Sequence, residues 1–212
     1  MPRWTITPVW KDRDCVIIGG GPSLTNFDWS LLEKENTIGC NTAFILGEKV
    51  CKVCVFGDDR WWKKYQFELA KYQGTVFTNC SQLMKTKILW LWAVDREARG
   101  LHTDRLGWNG NTGAVAINLA ILFGAKRIYL LGFDMKRTLA QSNWHNQIID
   151  KNAVRDTVYL EFARQFKFVH HDWKAKFPNV EIWNVTKDSG LSPDIFPWID
   201  VDAWVESRKH IG

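Results

Sequence analysis

Short apolar runs alternate with longer amphipathic segments along almost all of this 212-residue chain, and that alternation most constrains its fold. Residues 15–18, 37–41, 53–56, 75–78, 87–92, 127–131 and 180–185 are too short for stable helices and rich in apolar side chains, which predicts strands. Residues 26–34, 58–71, 112–123, 153–168 and 200–207 carry helical spacing, with Trp62, Tyr65, Leu69 and Tyr72 on one face of the second and Gly124 capping the third. Strands that alternate with helices form parallel sheets covered on both faces. The expected fold is therefore α/β: a Rossmann-like, mostly parallel sheet with helices on both faces, one domain over 1–212, and a lid-like polar loop near 136–152.

Composition removes several classes. Hydrophobic residues at 46% and charged residues at 24% exclude a disordered or fibrous chain. No run approaches the roughly 18 apolar residues of a membrane span, and Met1-Pro2-Arg3-Trp4 lacks a signal peptide's apolar core, so no membrane partner is expected and the localisation is read as cytoplasmic. The net charge of +5 favours an anionic partner without specifying nucleic acid. Five cysteines read as buried thiols; Cys51-Lys-Val-Cys54 has no second ligand pair nearby. Thirteen tryptophans exceed ordinary usage, and indoles serve both core packing and flat contacts with sugars or bases. Trp90, Trp92, Trp183 and Trp204 fall in predicted strands or a helix and read as packing, whereas Trp61, Trp62, Trp108 and Trp144 neighbour the unusual loops.

In parallel sheets ligands sit beyond the carboxyl ends of the strands. Four unusual segments fall there. Gly19-Gly20-Gly21-Pro22-Ser23 follows the first strand; its N–H groups and the Ser23 hydroxyl suit a phosphate, or simply a tight turn. Asn41 ends the second strand. Gly57-Asp58-Asp59-Arg60-Trp61-Trp62 follows the third, where Asp58 and Asp59 suit a divalent ion or a helix cap. Gly132-Phe133-Asp134 ends the strand at 127–131. Asn109-Gly110-Asn111-Thr112-Gly113 adds a polar helix start, an anion site or an N-cap by Asn111 or Thr112. In Asn143-Trp144-His145-Asn146 the histidine is a general acid or base, or an ordinary surface residue. His170-His171-Asp172 has no further ligand close by.

Taken together, Gly20-Gly21-Pro22-Ser23-Leu24, Gly39-Cys40-Asn41, Thr112-Gly113 and Ala125 to Asp134 resemble the family 42 sialyltransferases and the related 6-hydroxymethylpterin diphosphokinase-like proteins. The chain is most similar to small phage-encoded members that share a Gly-Asp-x-Arg-Trp-Trp segment and a Trp-His pair, over about residues 15 to 197. The resemblance implies a nucleotide-sugar donor held by Gly20, Gly21, Ser23, Asn41, Thr112, Gly113 and Gly132, with Asn184 and Ser189 near its phosphate; Pro22, Gly57 and Asn111 are further donor-side candidates. It implies His145 as general base and Gly132-Phe133-Asp134 as a wall of the donor pocket; Asp134 and Asp58 are the further catalytic candidates. Arg60, Trp61, Trp62 and Trp144 are the acceptor-side candidates. Two departures stand out: the sialyltransferases have an asparagine where this chain reads Gly57-Asp58, and tyrosines where it has Met135 and Lys136.

The function these features imply is a glycosyltransferase that moves a sugar from a nucleotide sugar to an acceptor hydroxyl. The acceptor candidates are a glycan and a hydroxymethylated DNA base in a phage-infected cell. No tightly bound cofactor is expected; Mg or Mn enters only if Asp58 and Asp59 hold it. A metal-dependent diphosphokinase using Asp58, Asp59 and Asp134 is the alternative, and a non-catalytic nucleotide-binding or phage assembly protein is a third.

Overall fold

Cys15, Val16, Ile17 and Ile18 of β1 (Asp14–Ile18) are all fully buried, the condition for a strand covered on both faces. The computed structural model describes residues 7–83, 88, 91–93, 96–97, 99–136, 143–145, 156–186 and 188–209. After β1 the chain forms β2 (Thr37–Cys40), β3 (Val53–Phe56), α1 (Asp59–Leu69), β4 (Thr75–Thr78), β5 (Leu91–Ala93), β6 (Arg96–Glu97) and β7 (Leu106–Gly107). Then follow α2 (Thr112–Leu122), β8 (Arg127–Leu131), α3 (Asp156–Lys176), β9 (Glu181–Asn184) and α4 (Val201–Lys209).

Seven strands make one sheet in the order β5-β4-β3-β2-β1-β8-β9, and every pairing in it is parallel. β6 and β7 form a separate two-stranded pair. The chain therefore moves outward from β1 to β5, then returns to place β8 on the other side of β1. A parallel sheet opens a crevice where its direction of travel reverses, here between the carboxyl ends of β1 and β8.

Side chains alternate between the two faces. Cys15 and Ile17 pack with α2 and with Phe166, Val169 and Trp173 of α3, while Val16 and Ile18 pack with Trp61, Trp62 and Tyr65 of α1 and Trp204 of α4. α2 packs on β1, β2 and β3 and shares its cluster with α3, which explains why it is apolar all round. The expected α/β sheet with helices on both faces is the observed one.

Several expectations change in detail. Within 26–34 the expected helix is instead the short 3-10 turn Trp29–Leu32, because Asp28 accepts from both the backbone N–H and the hydroxyl of Ser30 and holds the chain in a local turn; another 3-10 turn, Pro22–Leu24, precedes it. α3 continues to Lys176, beyond the expected end at 168, since Val169 and Trp173 extend the buried stripe begun by Phe166. His170 lies on that helix, its Nδ1 2.7 Å from the Ile195 carbonyl oxygen. All five cysteines are free thiols. Of the polar loop expected at 136–152, only 136 and 143–145 fall among the described residues, so a lid there lies outside them. No helix among the described residues is long and apolar enough to cross a membrane.

Candidate active site

A cleft of about 270 Å³ opens at the carboxyl ends of β1, β2, β3 and β8. Gly19, Gly20 and Gly132 form its floor at the reversal of the sheet; Asn41 and Asp58 stand at the ends of β2 and β3. Gly110, Asn111, Thr112 and Gly113 bring in the start of α2, and Trp108, Phe133, Met135, Phe162 and Phe166 supply an apolar side.

The α2 end carries the donors. Asn111 caps the helix by accepting from Ala114 N at 2.7 Å, so its amide oxygen is occupied. Its Nδ2 is buried and has no hydrogen-bond partner, although the residue is 7% exposed and lines the cleft. Thr112 Oγ1 donates to Asn41 Oδ1 at 3.2 Å, tying the end of β2 to the same helix start. Asn41 has φ +52°, a left-handed conformation that asparagine tolerates. A helix N-terminus with spare N–H donors attracts anions.

The glycine-rich turn is committed internally, contrary to the phosphate-binding expectation for Gly21 and Ser23. Gly21 N donates to Gly132 O at 2.9 Å, and Ser23 N and Oγ donate to the two carboxylate oxygens of Asp134 at 3.1 and 2.8 Å. A Cβ on Gly21 would fall 1.6 Å from Asp134 Oδ2, so only glycine lets that carboxylate seat against the turn. Burial pushes the Asp134 carboxyl above its ordinary value, and the Ser23 bonds hold it back. Asp134 thus fills the anion position of the turn itself. Pro22 is buried in the 3-10 turn that follows.

His145 is brought in by its neighbour. Trp144 donates from Nε1 to Gly19 O at 2.9 Å and from its backbone N to Gly20 O at 3.1 Å, and its ring lies between Trp29 and His145, with centroids 4.9 and 5.0 Å away. Both N–H groups of Trp144 are therefore engaged with the turn, and it acts as an anchor. A Cβ on Gly20 would lie 4.0 Å from His145 Nε2, beside the floor of the cleft. Burial, reinforced by the Lys64 ammonium, lowers the imidazole pKa to about 4, so the ring is neutral at pH 7. Asn143 Oδ1, on the same segment, is buried without a partner.

Other expected residues are elsewhere. Trp61 and Trp62 are 2% and 8% exposed; Trp61 donates to Thr42 Oγ1, and Trp62 stacks on Phe56. Both are core residues, so the reading of them as acceptor contacts is corrected to packing. Arg60 is exposed on α1 away from the cleft lining. Asp58 Oδ1 accepts from Arg60 N and Trp61 N and caps α1, while Asp59 pairs with Lys63 at 2.6 Å. Asp58, Asp59 and Asp134 do not converge, and no group of three potential metal ligands exists among the described residues. Asp58 and Asp59, one a helix cap and the other paired with Lys63, therefore do not form a divalent-ion site with the other described residues. Asn184 Oδ1 accepts from Thr186 N, and Ser189 Oγ donates to Phe133 O at 2.6 Å. Ser189 braces the segment after β8 and Asn184 the turn after β9, and neither lines the cleft.

Asn79 belongs to none of the sequence motifs. It follows β4 as Asn41 follows β2, and that position was its available signal; it is fully buried with neither amide atom partnered.

Comparison with solved structures matches this architecture. The sialyltransferase CstII from Campylobacter jejuni, in complex with the substrate analogue CMP-3FNeuAc, aligns with a TM-score of 0.50 at 14% identity over 88% of this chain and 86% of that one. The monofunctional α-2,3-sialyltransferase Cst-I from the same organism aligns with a TM-score of 0.50 at 18% identity, over 88% and 80%. The chain shares its fold with these sialyltransferases. No protein-family model matches the chain, and no curated protein does.

Proposed function

We propose that the chain is a glycosyltransferase that uses a nucleotide-sugar donor in this cleft. One observation carries the reading: the unpartnered, buried Asn111 Nδ2 at the start of α2, in the same cleft whose glycine floor abuts the neutral His145. The shared fold with a sialyltransferase that binds CMP-3FNeuAc supports it. In this mechanism the acceptor hydroxyl gives its proton to the His145 imidazole as its oxygen bonds to the anomeric carbon. The carbon–oxygen bond to the donor phosphate breaks, and the negative charge left on that phosphate is met by Asn111 Nδ2 and the N–H groups that open α2. Gly20, Asn41, Thr112, Gly113 and Gly132 shape the donor pocket around it. No basic side chain lines the cleft among the described residues, and Trp61 and Trp62 are unavailable for stacking on a base, which favours a small or glycan hydroxyl over DNA as the acceptor.

Thermal denaturation with CMP, UDP, GDP and ATP tests the donor: a nucleotide at about 100 times its Kd adds about 2.7 kcal/mol of stability. His145→Ala retains that stabilisation and lowers transfer by about 10² to 10⁴. Stabilisation by none of the nucleotides, or transfer in the variant within a few-fold of the parent, overturns the assignment.

A further inference from the structure

The wall at the ends of β3 and β4 has a chemistry unlike the α2 end of the cleft. Asp58 is the one charged side chain lining the cleft among the described residues. Its Oδ1 is spent on the α1 cap, and Oδ2 accepts no hydrogen bond among the described residues. Next to it, Gly57 leaves a gap in which two other groups meet. Asn79 Oδ1 lies 2.6 Å from the position a Gly57 Cβ would take, and the Trp108 ring comes within 2.0 Å of that position. Trp108 faces the cleft; behind it Asn79 is 0% exposed, with Oδ1 and Nδ2 both unpartnered. A buried amide without partners is rare in folded proteins and calls for a physical reason.

We propose that Asp58, Asn79 and Trp108 form the subsite for the transferred sugar and select an uncharged sugar over an acidic one; this rests on the nucleotide-sugar reading above. An indole face packs against the C–H face of a pyranose. Turning the Trp108 ring toward the ligand uncovers Asn79, whose amide offers two donors and an acceptor to sugar hydroxyls. The Asp58 carboxylate accepts from hydroxyls in the same way and repels a sugar carboxylate, with no cation on the described lining to offset it.

Calorimetric titration of the full chain with matched ligands tests this: UDP-glucose against UDP-glucuronate, GDP-mannose against GDP-mannuronate, and CMP–sialic acid against its C1 carboxamide. For the base that the cleft accepts, the ligand without the carboxylate binds about tenfold tighter or more, equivalent to about 1.4 kcal/mol. Asp58→Asn, which keeps the α1 cap, closes the gap by tightening the acidic ligand more than the uncharged one. Asn79→Ala reduces the affinity of the uncharged sugar nucleotide toward that of the bare nucleotide without lowering Tm, since the amide it removes has no partner. Equal affinity for both members of a pair, or a gap that survives Asp58→Asn, overturns the selection and leaves the nucleotide-sugar reading standing. Full sugar-nucleotide affinity in Asn79→Ala removes Asn79 from the subsite. Absence of binding by every nucleotide and nucleotide sugar overturns both.

Discussion

At the residue scale, His145 and Asp134 show how burial sets the chemistry of this cleft. Each is withdrawn from water, and each is driven toward its neutral form: the imidazole pKa falls to about 4 and the carboxyl pKa rises. For His145 the consequence for stability has a definite sign. The unfolded chain takes up the proton near pH 6.5 and the folded chain only near 4, so between those values the unfolded state binds more protons and stability falls as pH falls. Urea midpoints measured across that interval decline more for the parent than for His145→Gln, and the acid limb of kcat/KM lies near 4. An acid limb near 6.5, the value of an unburied imidazole, would exclude His145 as the base.

At the scale of elements, the start of α2 performs two jobs with one side chain. The Asn111 oxygen caps the helix, while its nitrogen is buried without a partner in a residue that lines the cleft. Asn111→Asp separates them, because aspartate caps as well as asparagine but presents an oxygen where the nitrogen stood. The carboxylate keeps the Ala114 bond of the cap, while nucleotide affinity drops about tenfold or more. Titration of both proteins by calorimetry checks this; equal affinity assigns Asn111 to capping alone. The glycine turn divides its work differently: Ser23 and Gly21 secure Asp134 and Gly132, and Gly19 and Gly20 hold Trp144 through their carbonyls, so the turn builds the floor and positions His145.

At the scale of the molecule, the site lies at one end of the sheet and an ion network at the other. Asp14, which opens β1, accepts from Arg127 at 2.7 Å and from Arg208 of α4 at 2.6 Å, and Arg208 also stacks over Tyr129. Asp14 and Arg208 are almost wholly buried, so removing one leaves the other short of a partner. Arg208→Ala is expected to cost about 3 kcal/mol, read from urea denaturation, with nucleotide affinity unchanged because the cleft is at the opposite, carboxyl end of the strands. A change in nucleotide affinity with no change in stability would contradict that separation.

The layers of this molecule could be read from local pattern. Buried parallel strands have to be apolar without interruption, as in residues 15–18 and 127–131, and helices have to carry their periodic stripes, so the α/β sheet and the end on which its loops gather followed from the chain alone. What each loop residue does depended on partners distant in sequence. Ser23 is separated from a phosphate role by a carboxylate 111 residues away, Trp144 is made an anchor by a carbonyl 125 residues away, and Trp61 and Trp62 enter the core because α1 turns them onto Phe56. Asn79 carries no motif at all. It matters because Gly57 and Trp108 bury it next to the cleft without a partner. Hydrophobic periodicity is a local property of the chain, whereas hydrogen-bond satisfaction is settled only when segments far apart in sequence are packed together.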